Sequence, residues 1–116
     1  RVRHTLAGFR HWLAEARAAG RRIGAYGAAA KGNTFLNAAG VTAADLLAVA
    51  DRSPAKQGRL LPGSRVPVVT PEALLAMRLD DILVLPWNIA GEIAAQLREG
   101  GFAGRLWTAV PEMRAA

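Results

Sequence analysis

The chain contains no cysteine, which excludes disulfide staples and thiolate metal sites. Its two histidines, His4 and His11, stand seven residues apart without acidic company suited to a metal ion. No metal site is expected, and the two imidazoles read as solvent-facing or packing groups on one helix face. Long apolar runs are missing too. No stretch approaches the roughly 18 uninterrupted apolar residues of a membrane-spanning helix, and the first residues lack the apolar run of a signal peptide. The expectation is a cytoplasmic domain without a membrane partner. Aromatic residues make up only 6% of the chain and are not interleaved with basic ones, as they are in single-strand nucleic-acid binders.

What is present describes one folded unit. A length of 116 residues suits a single domain, and 52% apolar with 21% charged residues is the composition of a chain that buries a core. The net charge of +6 sits entirely in residues 1–31, where Arg1, Arg3, Arg10, Arg17, Arg21, Arg22 and Lys31 face only Glu15. A basic helix of this kind can touch RNA or an anionic membrane. A solvated helix face, or one docked on another domain, is the preferred explanation, and no nucleic-acid partner is expected.

Apolar Leu6, Phe9, Leu13 and Ala16 recur at spacings of three and four, which predicts an amphipathic helix over 5–19 with Thr5 as N-cap and Gly20 as terminator. A strand over 22–26 then enters the small-residue loop Gly27-Ala28-Ala29-Ala30-Lys31-Gly32, followed by a helix over 33–39. The apolar run 46–50, closed by Asp51, suits a buried parallel strand. A long irregular stretch, 52–65, carries Arg52, Lys56, Arg59 and Arg65 and no acid. Residues 66–69 form a short strand that belongs at a sheet edge, because Pro67 cannot donate to a ladder. Thr70-Pro71-Glu72 is a helix start: hydroxyl cap, proline in the first turn, carboxylate at the positive end of the dipole. A helix to about Arg78, a core strand over 82–85, a helix over 89–99 and a last strand over 105–110 complete the pattern, with Pro111 onward as tail. Strands alternating with helices imply a Rossmann-like open parallel sheet of about four to five strands with helices on both faces.

In such sheets ligands settle beyond the carboxyl ends of the strands. Four segments converge there: the Gly27 loop, Asp51 with its following loop, the turn at Thr70, and Trp87-Asn88. The loop residues Gly27, Ala28, Ala29 and Gly32 leave main-chain N–H groups accessible to a phosphate, with Lys31 adding charge and Asn33 and Thr34 adding hydrogen-bonding groups at the helix start. The string matches neither the G-x-G-x-x-G fingerprint nor a P-loop, so ATP hydrolysis is not implied. A tight strand-to-helix turn without a ligand is the plainer alternative. Asp51, 24 residues beyond Gly27, is either a carboxylate for ribose hydroxyls or a turn-forming aspartate. Trp87 either stacks on a base or fills a core or interface, and Asn88 reads equally as an N-cap. No histidine, cysteine or carboxylate pair stands ready as general acid and base, so no catalytic residue is expected here. On these residues alone, a stand-alone nucleotide- or NAD-binding module remains an alternative reading.

Four strings in order, Gly24-Ala25-Tyr26-Gly27-Ala28-Ala29-Ala30-Lys31-Gly32-Asn33-Thr34, Val49-Ala50-Asp51-Arg52-Ser53-Pro54-Ala55-Lys56-Gln57-Gly58, Leu61-Pro62-Gly63 with Val66-Pro67-Val68, and Leu83-Val84-Leu85-Pro86-Trp87-Asn88, closely resemble the C-terminal domain of the SAM-dependent C-methyltransferases that act on nucleotide-linked deoxysugars. The resemblance implies that residues 1–116 are one Rossmann-like part of a larger enzyme, with 1–20 a leading helix and possible bridge to a SAM-binding domain. It implies that S-adenosylmethionine and the catalytic base belong to that other domain, with no cofactor expected on this one. It further implies that Gly27 to Gly32, with Lys31, Asn33 and Thr34, hold the substrate diphosphate, and that Asp51, Lys56 and Gln57 border its nucleoside or sugar.

Overall fold

The computed structural model describes residues 2–116; Arg1, counted above in the N-terminal charge, lies outside them. The elements in chain order are α1 (Val2–Ala18), β1 (Ile23–Tyr26), α2 (Ala30–Ala38), β2 (Val49–Ala50), β3 (Val68–Val69), α3 (Pro71–Ala76), β4 (Asp81–Val84), a 3-10 turn (Trp87–Ile89), α4 (Ala90–Glu99), β5 (Arg105–Thr108) and β6 (Arg114–Ala115). The strands form one sheet in the order β3-β2-β1-β4-β5-β6, parallel except for β6. The Rossmann-like architecture is as expected, but the sheet has six strands rather than four to five. The extra one lies in the residues expected to be tail: Trp107 pairs with Ala115 and Thr108 with Arg114, antiparallel. A two-residue strand of Arg and Ala has no apolar alternation to betray it.

β1 and β4 are the centre of the sheet, and each is buried along its whole length. That is the pattern of strands covered on both faces. On one face α1 and α2 pack Phe9, Leu13, Ala16 and Leu36 against Ile23, Val49 and Leu83. On the other, α3 and α4 pack Leu74, Ile93 and Leu97 against Ile82, Val84 and Leu106. Gly24 lets this second layer close down, since a Cβ there would run into the Leu79 and Leu74 side chains. α1 uses the apolar stripe expected of it and adds Trp12. It begins before Thr5, however, so that residue caps nothing; its hydroxyl donates to the Pro111 carbonyl at 2.7 Å and ties the helix to the C-terminal segment.

The N-terminal positive charge is largely used inside the fold. Arg10 donates to the Ala38 carbonyl, Arg17 pairs with Asp45, and Arg22 donates to the Met77 carbonyl. Arg21 makes a two-pronged contact with Asp81 at 2.9 and 3.1 Å. Asp81 is fully buried and also accepts from the Trp107 indole N–H at 2.7 Å, while the Arg21 guanidinium lies over the Trp12 ring.

β3 lies at the sheet edge, as Pro67 requires. The long 52–65 stretch covers that edge: the Gly58 amide donates to Val68, the Val68 amide to Arg59, and the Leu61 amide to Val66. An open row of donors and acceptors is thereby closed to other chains. Thr70 caps α3 as its sequence implies, with Oγ1 accepting from the Ala73 amide at 3.0 Å.

Two substitutions separate these contributions. Asp81→Ala strands a part-buried guanidinium and an indole N–H and is expected to lower unfolding free energy by about 3 kcal/mol, whereas Thr70→Ala costs about 1 kcal/mol. Urea denaturation of the two variants reads the difference, and equal small losses would contradict the role given to Asp81.

Candidate functional site

The crossover after β1 places α2 on one face of the sheet, and the crossover after β4 places α4 on the other. The carboxyl ends of β1 and β4 therefore mark a reversal of strand order, where doubly wound sheets open a crevice. The chain passes from β1 to α2 through Gly27, Ala28 and Ala29 alone. Gly27 has φ +100, and a Cβ on it would stand 2.7 Å from Cδ of Pro86. Gly32 sets the first turn of α2 close over the end of β4, with its notional Cβ 3.1 Å from Leu85 Cβ.

α2 starts at Ala30, one turn earlier than expected, because the small alanines join the helix instead of extending the loop. Its first internal bond runs from the Asn33 amide to the Ala29 carbonyl at 3.0 Å. The amides of Ala29, Ala30, Lys31 and Gly32 donate to nothing among the described residues. They form the positive end of the helix, and no side chain caps it. Lys31 is exposed and makes no ion pair among the described residues. It borders a cleft of about 180 Å³ shared with Phe35, Leu85, Trp87 and Val110.

Four expected groups lie outside this cradle: two amides are already bonded, and the earlier helix start carries two side chains past the first turn. The Gly27 amide continues the ladder to Ala50 at 2.8 Å, and the Ala28 amide donates to Asp51 Oδ2 at 2.8 Å. Asn33 and Thr34 sit a turn inside α2. Thr34 donates to the Ala30 carbonyl at 3.0 Å, and the Asn33 Oδ1 atom is buried without a partner, pointing into the fold.

Asp51 follows β2, with its other carboxylate oxygen accepting from the Ser53 amide at 2.8 Å. It is thus a turn-forming aspartate and, in addition, a clasp between the β2 turn and the β1 turn. Lys56 Nζ lies 4.0 Å from the same carboxylate, and Gln57 Nε2 donates to the Asp51 carbonyl at 2.8 Å. The expected trio Asp51, Lys56 and Gln57 is therefore brought together beside the Gly27 turn. Trp87, 54% exposed, and exposed Asn88 lie in the 3-10 turn beyond β4. Asn88 does not cap α4, whose N-cap position is Ile89 with no side-chain bond. Arg59 and Arg65 belong instead to the segment that covers β3.

Sequence reasoning passed over Tyr26 and Gln96, and counted Arg52 only as part of a basic run. The three line one groove with Gln57 on the α3 and α4 face. Tyr26 precedes Gly27, which was a signal of position; Gln96 carries none, because only the docking of α4 turns it toward β2.

A doubly wound, mostly parallel sheet with an uncapped helix start at its point of reversal is a Rossmann-like fold. Within that class the chain belongs to the family described as C-methyltransferase C-terminal domain, which matches residues 1–111. It is similar to the C-methyltransferase NovU of Streptomyces niveus, with 37% identity over 98 residues. That match covers 82% of this chain and 23% of the relative, so the chain spans about a quarter of that protein's length.

If Asp51 clasps the two turns, its loss is felt without any ligand. Asp51→Ala is expected to cost about 2 kcal/mol of stability in the free protein by leaving the Ala28 and Ser53 amides without their acceptor. Thermal melts of the free chain measure it, and unchanged stability would leave only a ligand-contacting role.

Proposed function

We propose that this chain is the substrate-anchoring domain of a SAM-dependent C-methyltransferase, holding the diphosphate of a nucleotide-linked deoxysugar on the first turn of α2. The observation that carries the reading is the set of four unbonded amides, Ala29 to Gly32, beside the unpaired charge of Lys31. Amides at a helix start and one flexible cation suit a diphosphate, which spreads negative charge over several oxygens. Membership of a C-methyltransferase family and the identity to NovU supply the reaction class.

The same residues do not suit S-adenosylmethionine. A sulfonium is a cation, whereas this crevice presents Lys31 and the positive end of a helix, and both oxygens of the nearby Asp51 carboxylate are engaged by main-chain amides. The methyl donor therefore belongs to a part of the whole enzyme outside these residues, and no step of methyl transfer is assigned to this chain. Nor does the crevice offer a proton acceptor. Its contribution is to fix where the sugar lies, converting binding energy at a remote diphosphate into orientation at the reacting carbon.

Lys31→Ala in the whole enzyme tests this division of labour. Loss of one charge-assisted contact, about 1.5 kcal/mol, corresponds to roughly a tenfold rise in KM for the nucleotide sugar. The KM for S-adenosylmethionine stays at its wild-type value. An unchanged sugar KM would remove the diphosphate from α2.

A further inference from the structure

Beyond the cradle on α2, the same end of β1 borders a second recess on the opposite face of the sheet. It is a groove of about 410 Å³ between α3 and α4, lined by the polar side chains of Tyr26, Arg52, Gln57, Glu72 and Gln96. Leu75, Leu97 and Pro71 add apolar lining. Arg52 Nη2 donates to Gln96 Oε1 at 2.6 Å, and Gln57 Nε2 is held by the Asp51 carbonyl. These two bonds orient the amides and leave their other halves open. Gln57 keeps an amide oxygen as acceptor, Gln96 keeps both amide protons, and Arg52 keeps the rest of its guanidinium donors. The Tyr26 side chain is largely buried, and its hydroxyl has no partner among the described residues.

The chemistry of this groove differs from that of the α2 start. One guanidinium and one carboxylate, Arg52 and Glu72, leave it without net charge, so it suits a neutral group rather than a second phosphate. Apolar lining together with the Arg52 and Gln96 donors and the Gln57 and Glu72 acceptors matches a flat heterocycle whose edge alternates carbonyl and N–H groups. Asp51 joins the two recesses: its carboxylate holds the Ala28 amide at the entry to α2, and its carbonyl holds the Gln57 amide in the groove. A ligand crossing the end of β1 passes over this residue.

We propose that the Tyr26–Arg52–Gln57–Gln96 groove receives the nucleobase of the ligand whose diphosphate lies on α2. The inference rests on the anchoring role proposed above and assigns the ligand's direction: base toward α3 and α4, sugar toward Lys31 and Trp87.

Calorimetric titration of the 116-residue chain with uridine diphosphate and with inorganic pyrophosphate tests it. The variants are Arg52→Ala with Gln96→Ala, both at exposed positions, and Tyr26→Phe, which removes only a hydroxyl. The expected result is that wild type binds the nucleotide at least tenfold more tightly than pyrophosphate. The double variant loses that advantage with pyrophosphate affinity unchanged, and Tyr26→Phe loses a smaller part of it. If pyrophosphate and nucleotide both bind but the variants leave the nucleotide's advantage intact, the base lies elsewhere and this inference is overturned while the anchoring role stands. If neither ligand binds wild type, the anchoring role itself fails and the groove assignment falls with it.

Discussion

The architecture of the site depends on how tightly the chain can turn between β1 and α2. Three residues make the turn, and at the first of them the end of β4 leaves no space for a side chain: Pro86 occupies the position that a Cβ on Gly27 would take. The positive φ of Gly27 then directs the chain onto the α1 face, and Gly32 allows the first turn of α2 to settle against Leu85. A longer loop or a bulkier residue would lift the helix start off the crevice and carry its free amides with it. Asp51 completes the arrangement by bonding the Ala28 amide, so the β2 turn fixes the β1 turn.

From this constraint follows a separation of chemistry between the two faces. The α2 side gathers main-chain donors and Lys31 and is suited to negative oxygens. The α3 and α4 side gathers amides, one cation and one carboxylate beside apolar Leu75 and Leu97. Such a separation fits the anchoring role proposed for the domain, in which placement is its contribution.

Much of this was legible in the sequence, for identifiable reasons. The stripe Leu6, Phe9, Leu13 and Ala16 and the uninterrupted apolar strands report burial directly, and Thr70-Pro71-Glu72 reports a helix start through its own backbone chemistry. Pro67 placed β3 at the edge by what it cannot donate. The features that escaped depend on neighbours distant in the chain. α2 starts at Ala30 because the small alanines join the helix, behind a turn clasped by Asp51 from beyond β2, so Asn33 and Thr34 fall inside the helix. β6 exists only because β5 offers an edge to Arg114 and Ala115. Gln96 becomes part of a groove only once α4 has docked, and no spacing rule reveals the two main-chain amides from which Asp51 accepts.

The central claim is that the amides of Ala29, Ala30, Lys31 and Gly32 hold phosphate oxygens. Amide-resolved NMR of the chain during a titration with inorganic pyrophosphate examines it directly. Saturable shifts centred on those four N–H groups are expected, with the Asn33 amide, already bonded to Ala29, moving less. Shifts spread over the exposed arginines of α1, with residues 29–32 unmoved at saturation, would contradict it.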